Sequence, residues 1–311
     1  MITSSQNFKI ITAGSTYLDI DAYACAVAMA ELLRLKGENA IAYSNAPCNY
    51  SVVPSLTREG QIERMLPSSV TEHAQYIVVD VSDPEFLKTS VPLDRVTAVY
   101  DHHVGFEDYW GERIGNGAHI EFLGAAATLI YREWRAAGLE EKMSRETAFL
   151  LIAAILDNTL NLTSDNTTEE EREVFRALCA RTGVGEAFCA SYFSEVQASV
   201  EKDLRNALFG DLKTVRDNPV LPSRFAQLAV WDAERILEKL PLIRDWFAGD
   251  DFMLNLIDIH HRVSYFVCDG EAYQKKLSHL FGIRFHAGVA KTETALLRKE
   301  IIKKTLRAGE A

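Results

Sequence analysis

Short apolar runs alternate with helix-like segments through the first part of the chain, and three of those runs end in aspartate. Lys9-Ile-Ile-Thr-Ala13 leads through a turn to Asp19-Ile20-Asp21, and Tyr76-Ile-Val-Val79 ends in Asp80. Val96-Thr-Ala-Val-Tyr100 ends in Asp101-His102-His103. Strand–helix alternation of this kind predicts a parallel sheet with crossover helices. Carboxylates and imidazoles at the carboxyl ends of such strands sit where open α/β sheets place their chemistry.

The intervening segments support the same architecture. Ala22–Lys36 reads as a helix closed by Gly37, a natural C-terminal stop, and Ala40–Ser44 reads as the next strand. Ile62–Leu66 reads as a short helix stopped by Pro67. From Gly124 the texture becomes Ala- and Leu-rich, which predicts helices over Ala125–Ala136 and Ser144–Leu156, the second capped by Ser144. A further helix starts near Asp165-Asn-Thr-Thr-Glu-Glu-Glu, with acidic residues at the positive end of its dipole. Mixed signals between Gly183 and Asp203 mark a domain connection. Strands are then expected at Phe225–Val230, Phe252–Ile259 and Arg262–Cys268, with a helix over Asp232–Leu240. A chain of 311 residues is long for one core. Two unequal α/β lobes follow, residues 1–190 and residues 196–311.

Charge narrows the partners. The net charge of −11 argues against a broad nucleic-acid-binding face, which needs clustered Lys and Arg, but leaves room for a local basic pocket. Five scattered cysteines without a CxxC pair argue against a disulfide framework or a zinc–thiolate site and favour a reducing compartment. The N-terminus lacks a signal-peptide pattern, and no apolar run approaches the ~18 residues of a membrane span. A cytoplasmic protein without a membrane partner is the expectation.

Each aspartate alone reads as a helix cap or a surface charge. Their joint placement at strand ends suggests a metal site instead. Asp19 and Asp21, one residue apart, can reach different cations or brace one. Asp80 could bridge two, and His102 adds an imidazole, a ligand that suits manganese, cobalt or zinc better than magnesium. Two divalent cations ~3.5–4 Å apart would generate hydroxide and neutralise phosphate oxygens.

Four segments give the chain a resemblance to the DHH phosphoesterases: Gly14-x-x-x-x-Asp19-x-Asp21, Val79-Asp80, Asp101-His102-His103 and Ala154-Ile-Leu-Asp157-Asn158-Thr159-Leu-Asn. Within that family the tail is similar to the branch of manganese-dependent inorganic pyrophosphatases, exopolyphosphatases and prune proteins. Gly210-Asp211-Leu212-Lys213 and Leu297-Arg298-Lys299-Glu-Ile-Ile carry that part of the likeness. The resemblance implies an N-terminal parallel-sheet catalytic domain, a smaller C-terminal α/β lobe that binds substrate, and an active site in the cleft between them. It implies metal ligands at Asp19, Asp21, Asp80 and His102, with Asp101 supporting the site and His103 facing phosphate. Lys213, Arg298 and Lys299 would clamp the anionic substrate, a role that suits guanidinium and ammonium chemistry. Arg298 and Lys299 read equally well as part of a solvated basic helix face.

Two positions depart from the pattern. Ser15 stands where the pyrophosphatases carry a histidine, a spelling closer to exopolyphosphatase and prune sequences. The fourth motif reads Asp157-Asn158-Thr159 in place of Asp-Thr, so either Asp157 ligates after a shift of the turn or Asn158 substitutes with its amide; the nearby carboxylate of Asp157 is favoured. The remaining histidines, including His260-His261, read as ordinary strand-end or surface residues.

The implied activity is metal-dependent hydrolysis of phosphoanhydride bonds in pyrophosphate or short polyphosphate, with two divalent cations, manganese first and cobalt or magnesium as alternatives. The partner is then a small anionic phosphate, and a homodimer is compatible with it. A phosphodiesterase of cyclic dinucleotides or short oligonucleotides is a second reading, weakened by the lack of a Gly-Gly-Gly-His segment. A binding or regulatory protein that kept the fold is a third.

Overall fold

A computed structural model describes residues 8–14 and 17–309. Ser15, one of the two departures, lies outside the described residues. The chain divides into two compact units, residues 1–189 and 190–311.

The first unit contains β1 (Phe8–Thr12), α1 (Ile20–Leu35), β2 (Asn39–Ala42), α2 (Ser68–Thr71), β3 (Gln75–Val79), α3 (Pro84–Leu87), β4 (Val96–Asp101), α4 (Glu107–Ile114) and β5 (Ala118–Ile120). It continues with α5 (Ala126–Ala137), α6 (Arg145–Asn158), α7 (Glu169–Thr182) and the first residues of α8 (Glu186–Lys202). Its five strands are all parallel, in the order β2-β1-β3-β4-β5. The chain steps outward from β1 to β2, then crosses back past β1 to reach β3. Loops leaving β1 and β3 therefore diverge, and the carboxyl ends of these two strands flank the crevice where such sheets bind ligands. Asp19, Asp21 and Asp80 follow those two strands, and Asp101 closes β4 beside them.

Burial explains the layers. α1 is Ala-rich and buried on nearly every side from Ile20 to Leu33, as a helix packed against other helices and a sheet must be. It lies against α5, α6 and β2. Ile10, Tyr76, Val78, Val99 and the fully buried Trp110 form a separate apolar cluster. The Trp110 indole N–H donates to the Ser82 carbonyl at 2.6 Å, which satisfies its one polar atom.

Two helix expectations need correction, and the mixed stretch takes a definite form. Ile62–Leu66 is not a helix: Glu63 forms an isolated parallel bridge with Tyr43, and Pro67 caps the start of α2. Proline suits the start of a helix because it has no N–H to leave unpaired. The mixed stretch from Gly183 to Asp203 is mostly the single helix α8, and the division between units falls inside it. The expected helix over Asp232–Leu240 is only the short Glu234–Leu237, and a separate helix starts at Leu240 with Pro241 in its first turn.

The second unit continues with α9 (Leu204–Gly210), β6 (Lys213–Thr214), β7 (Arg224–Val230), α10 (Glu234–Leu237), α11 (Leu240–Trp246) and β8 (Phe252–Asp258). It ends with β9 (Val263–Val267), α12 (Glu271–Phe281), β10 (Val289–Lys291) and α13 (Arg298–Gly309). Its sheet is mixed, in the order β10-β9-β8-β7-β6, with only β7 and β8 parallel. Phe225, Met253, Phe266, Leu277 and Ile301 centre its core. No helix among the described residues is long and apolar enough to cross a membrane.

Candidate metal centre

Asp80 and His102 meet at the strand ends. The His102 Nε2 and Asp80 Oδ1 atoms are 3.4 Å apart, and both side chains are almost wholly buried. Neither atom has a hydrogen-bond partner among the described residues. Buried polar atoms are normally paired, so two orphans facing one another point to a shared third group. The His102 ring identifies its chemistry. Its Nδ1 lies 3.1 Å from the Leu123 carbonyl, which can only accept, so Nδ1 carries the proton and Nε2 presents a lone pair. An imidazole lone pair and a carboxylate oxygen fit a divalent cation. Among the described residues, Asp80, His102 and His103 form the group whose ligand atoms all lie within 4.8 Å of one another.

The backbone holds Asp80 in place against its preference. Its φ is 57°, in the left-handed region that non-glycine residues seldom adopt, and its N–H donates to the Tyr100 carbonyl at 2.8 Å. Burial, then the charges of Asp19 and Asp21, push the Asp80 carboxyl well above the usual carboxylate range. Burial also raises the Asp21 carboxyl; His102 opposes this and Asp19 adds to it. Such a cluster strains for positive charge, which a cation would supply.

Asp101 and His103 form a second pair. Asp101 Oδ1 accepts from the His103 N–H at 3.0 Å and from its ring Nδ1 at 2.8 Å. Burial works to raise the Asp101 carboxyl, but the hydrogen bond and charge of His103 outweigh it, holding Asp101 below its ordinary value. Desolvation likewise opposes the His103 imidazolium, and the Asp101 bond outweighs it, raising His103 above its ordinary value. The His103 side chain is 63% exposed, so it can meet a ligand arriving from solvent. Ser82 steadies the same residue by donating to the His103 carbonyl at 3.1 Å.

Asp19 and Asp21 are placed differently from each other. Asp19 is the N-cap of α1, its Oδ1 accepting from the Ala22 N–H at 2.9 Å. Asp21 is fully buried and points at the start of α5, where its oxygens accept from Ala126 N–H at 2.8 Å and Ala127 N–H at 2.9 Å. Ala125, the N-cap of α5, has no side chain that can cap, so Asp21 does this from another helix. It also accepts from Cys25 Sγ at 3.3 Å and Asn158 Nδ2 at 2.9 Å, and lies 4.0 Å from His102 Nε2.

The fourth motif ends α6. It is Asn158 that makes the contact with Asp21, and the group within 4.8 Å does not include Asp157, the residue expected to ligate. Beyond it the backbone is strained: Leu160, Asn161 and Leu162 all have φ between 49° and 62°. Thr159 Oγ1 accepts the Leu162 N–H at 3.0 Å, and Arg172 donates to the Leu162 carbonyl at 2.9 Å, which over-determine this turn. Sequence reading missed the Leu123 carbonyl and the α5 amides. The only hint was the small-residue run from Gly124 to Ala127, where a methyl on Gly124 would come within 2.7 Å of Thr159 Cγ2.

In the second unit, Arg298 is already engaged. Its side chain is 14% exposed, and its guanidinium donates to the Asp211 carbonyl at 2.6 Å and to Asp211 Oδ1 at 2.8 Å. The two C-terminal segments that carried the resemblance are thus tied together. Lys213 begins the edge strand β6 and Lys299 lies in the first turn of α13, both exposed.

No family model matches the chain. A Deinococcus radiodurans protein named "Probable manganese-dependent inorganic pyrophosphatase" is 24% identical over 315 residues, covering 93% of this chain and 94% of that protein. A Lactobacillus acidophilus protein of the same name is 25% identical over 167 residues, covering 53% of this chain and 52% of that protein. A solved Methanococcus jannaschii structure assigned to the family II inorganic pyrophosphatases superposes with a TM-score of 0.67 at 17% identity, covering 97% of this chain and all of that one. An exopolyphosphatase-related protein from Bacteroides fragilis gives a TM-score of 0.51 at 13% identity, covering 98% of this chain and 92% of that one. The structures share the fold, a parallel-sheet α/β unit followed by a mixed-sheet unit. The resemblance drawn from the sequence motifs is borne out: along almost its whole length the chain is similar to one protein named probable manganese-dependent inorganic pyrophosphatase, and in fold to a structure assigned to the family II inorganic pyrophosphatases.

Proposed function

We propose that this chain hydrolyses phosphoanhydride bonds in pyrophosphate or short polyphosphate with the help of divalent metal. The observation that carries the reading is the buried, partnerless pair Asp80 Oδ1 and His102 Nε2, 3.4 Å apart. Relatives named manganese-dependent inorganic pyrophosphatases support both the reaction and manganese as the ion. Asp80 and His102 would hold the metal, with Asp19 beside them. A divalent ion bound there lowers the pKa of water and neutralises phosphate oxygens. His103, whose Nδ1–H is held by Asp101 and whose imidazolium form that contact favours, would donate a hydrogen bond or a proton from its other ring nitrogen, Nε2, to the phosphate as charge builds on the leaving group. In this reading Lys213, Arg298 and Lys299 bind the anionic substrate, two cations take part at turnover, and the protein works in the cytoplasm.

The test is phosphate release in manganese from pyrophosphate, tripolyphosphate, long polyphosphate and a cyclic dinucleotide. Release from the linear phosphates supports the reading. Products from the dinucleotide alone would move the chain to phosphodiester chemistry. Metal binding with silence on every substrate would make it a regulator.

A further inference from the structure

We propose that before substrate arrives the site holds one divalent cation, because Asp21 is withheld from metal by the groups that bind it. This rests on the reading that the site takes metal at all. A carboxylate offers about four lone-pair positions. Asp21 spends them on Cys25 Sγ at 3.3 Å, Ala127 N–H at 2.9 Å, Ala126 N–H at 2.8 Å and Asn158 Nδ2 at 2.9 Å. A cation bound to Asp21 must displace one of these donors. The two backbone amides belong to the first turn of α5 and cannot swing away. The Asn158 amide can turn, but the group it then offers is neutral.

The contrast with Asp80 is direct. Asp80 Oδ1 and His102 Nε2 are buried and unpartnered, whereas the Asp21 oxygens, fully buried, are all met by donors. The 4.0 Å between His102 Nε2 and Asp21 Oδ2 allows Asp21 to act on the cation through charge without touching it. Asn158 is the residue that decides the count. Its amide donates where a carboxylate would face Asp21 and demand positive charge between them. A second cation then enters only with phosphate, whose oxygens supply the ligands this side of the site lacks.

The experiment is titration of the metal-free protein with manganese alone, read by calorimetry and by electron paramagnetic resonance. The expected result is one equivalent per chain and the spectrum of an isolated ion. Asn158→Asp is expected to take two equivalents and to show the altered spectrum of an exchange-coupled pair. Asp21→Asn, which removes charge but no ligand in this account, is expected to keep the single equivalent. Two equivalents in the wild type would overturn the inference and leave the proposed function standing. No tight equivalent would overturn both. If Asn158→Asp fails to fold, the wild-type and Asp21→Asn counts decide, and loss of the ion in Asp21→Asn would refute the withholding of Asp21.

Discussion

Asp21→Ala separates a structural carboxylate from a metal ligand. Besides the weak Cys25 thiol, the substitution leaves three donors without an acceptor: Ala126 N–H, Ala127 N–H and the Asn158 amide, the two alanines with no solvent exposure. An orphaned buried donor costs ~1–3 kcal/mol, so the gross loss is about 3–9 kcal/mol. Two effects offset part of this: a carboxyl that burial has made reluctant to ionise is removed, and so is repulsion with Asp19. A net loss of about 3–5 kcal/mol remains, above the ~0.5–2 kcal/mol of a surface helix cap and large against a total of ~5–15 kcal/mol. The assay is urea unfolding in EDTA, followed by fluorescence of Trp110 and Trp134, both fully buried in the first unit. Trp231→Phe and Trp246→Phe in the background silence the second unit. A variant within ~1 kcal/mol of the parent in EDTA, destabilised only when manganese is present, would refute the structural role.

Gly124→Ala would place a methyl 2.7 Å from Thr159 Cγ2 and 3.0 Å from the Glu171 side chain, and a loss of ~1–3 kcal/mol is expected by chemical denaturation. Adding Thr159→Ser should recover part of it. The Arg132 hydrogen bond holds Glu170 below its ordinary value, so its contribution to stability is present above the unfolded carboxyl pKa and disappears as pH falls through the folded one. The melting temperatures of the wild type and Glu170→Gln should therefore differ at neutral pH and converge in acid. His103→Gln should lower kcat by ~10²–10⁴ while manganese affinity stays close to that of the wild type.

The strand ends were legible because burial writes β1, β3 and β4 as largely continuous apolar runs, and the aspartates that follow them stand out. The helix caps were legible for a similar local reason: Ser144 accepts from the Thr147 N–H, as its position before an apolar run implied. What the sequence could not show depends on distant partners. Asp21 meets Ala126 and Asn158, 105 and 137 positions away, and no local pattern distinguishes a carboxylate facing a helix start from one facing a cation. The pairing of Arg298 with Asp211, 87 positions earlier, was equally invisible, because no local pattern joins the two. That Asn158 meets Asp21 at the end of α6 was likewise beyond the local pattern, since Asp157 and Asn158 are adjacent and both polar. α8 was obscured because its start follows two glycines and its middle mixes Cys, Ser and aromatic residues.

The account stands on Asp80 and His102 as holders of a catalytic metal. The direct measurement is phosphate release from pyrophosphate by the metal-free protein as manganese is added, with the wild type beside Asp80→Ala and with folding of both confirmed by circular dichroism. Saturable activation of the wild type, and none in the folded variant, is the result expected. Turnover without metal, or equal activation of Asp80→Ala, would contradict it.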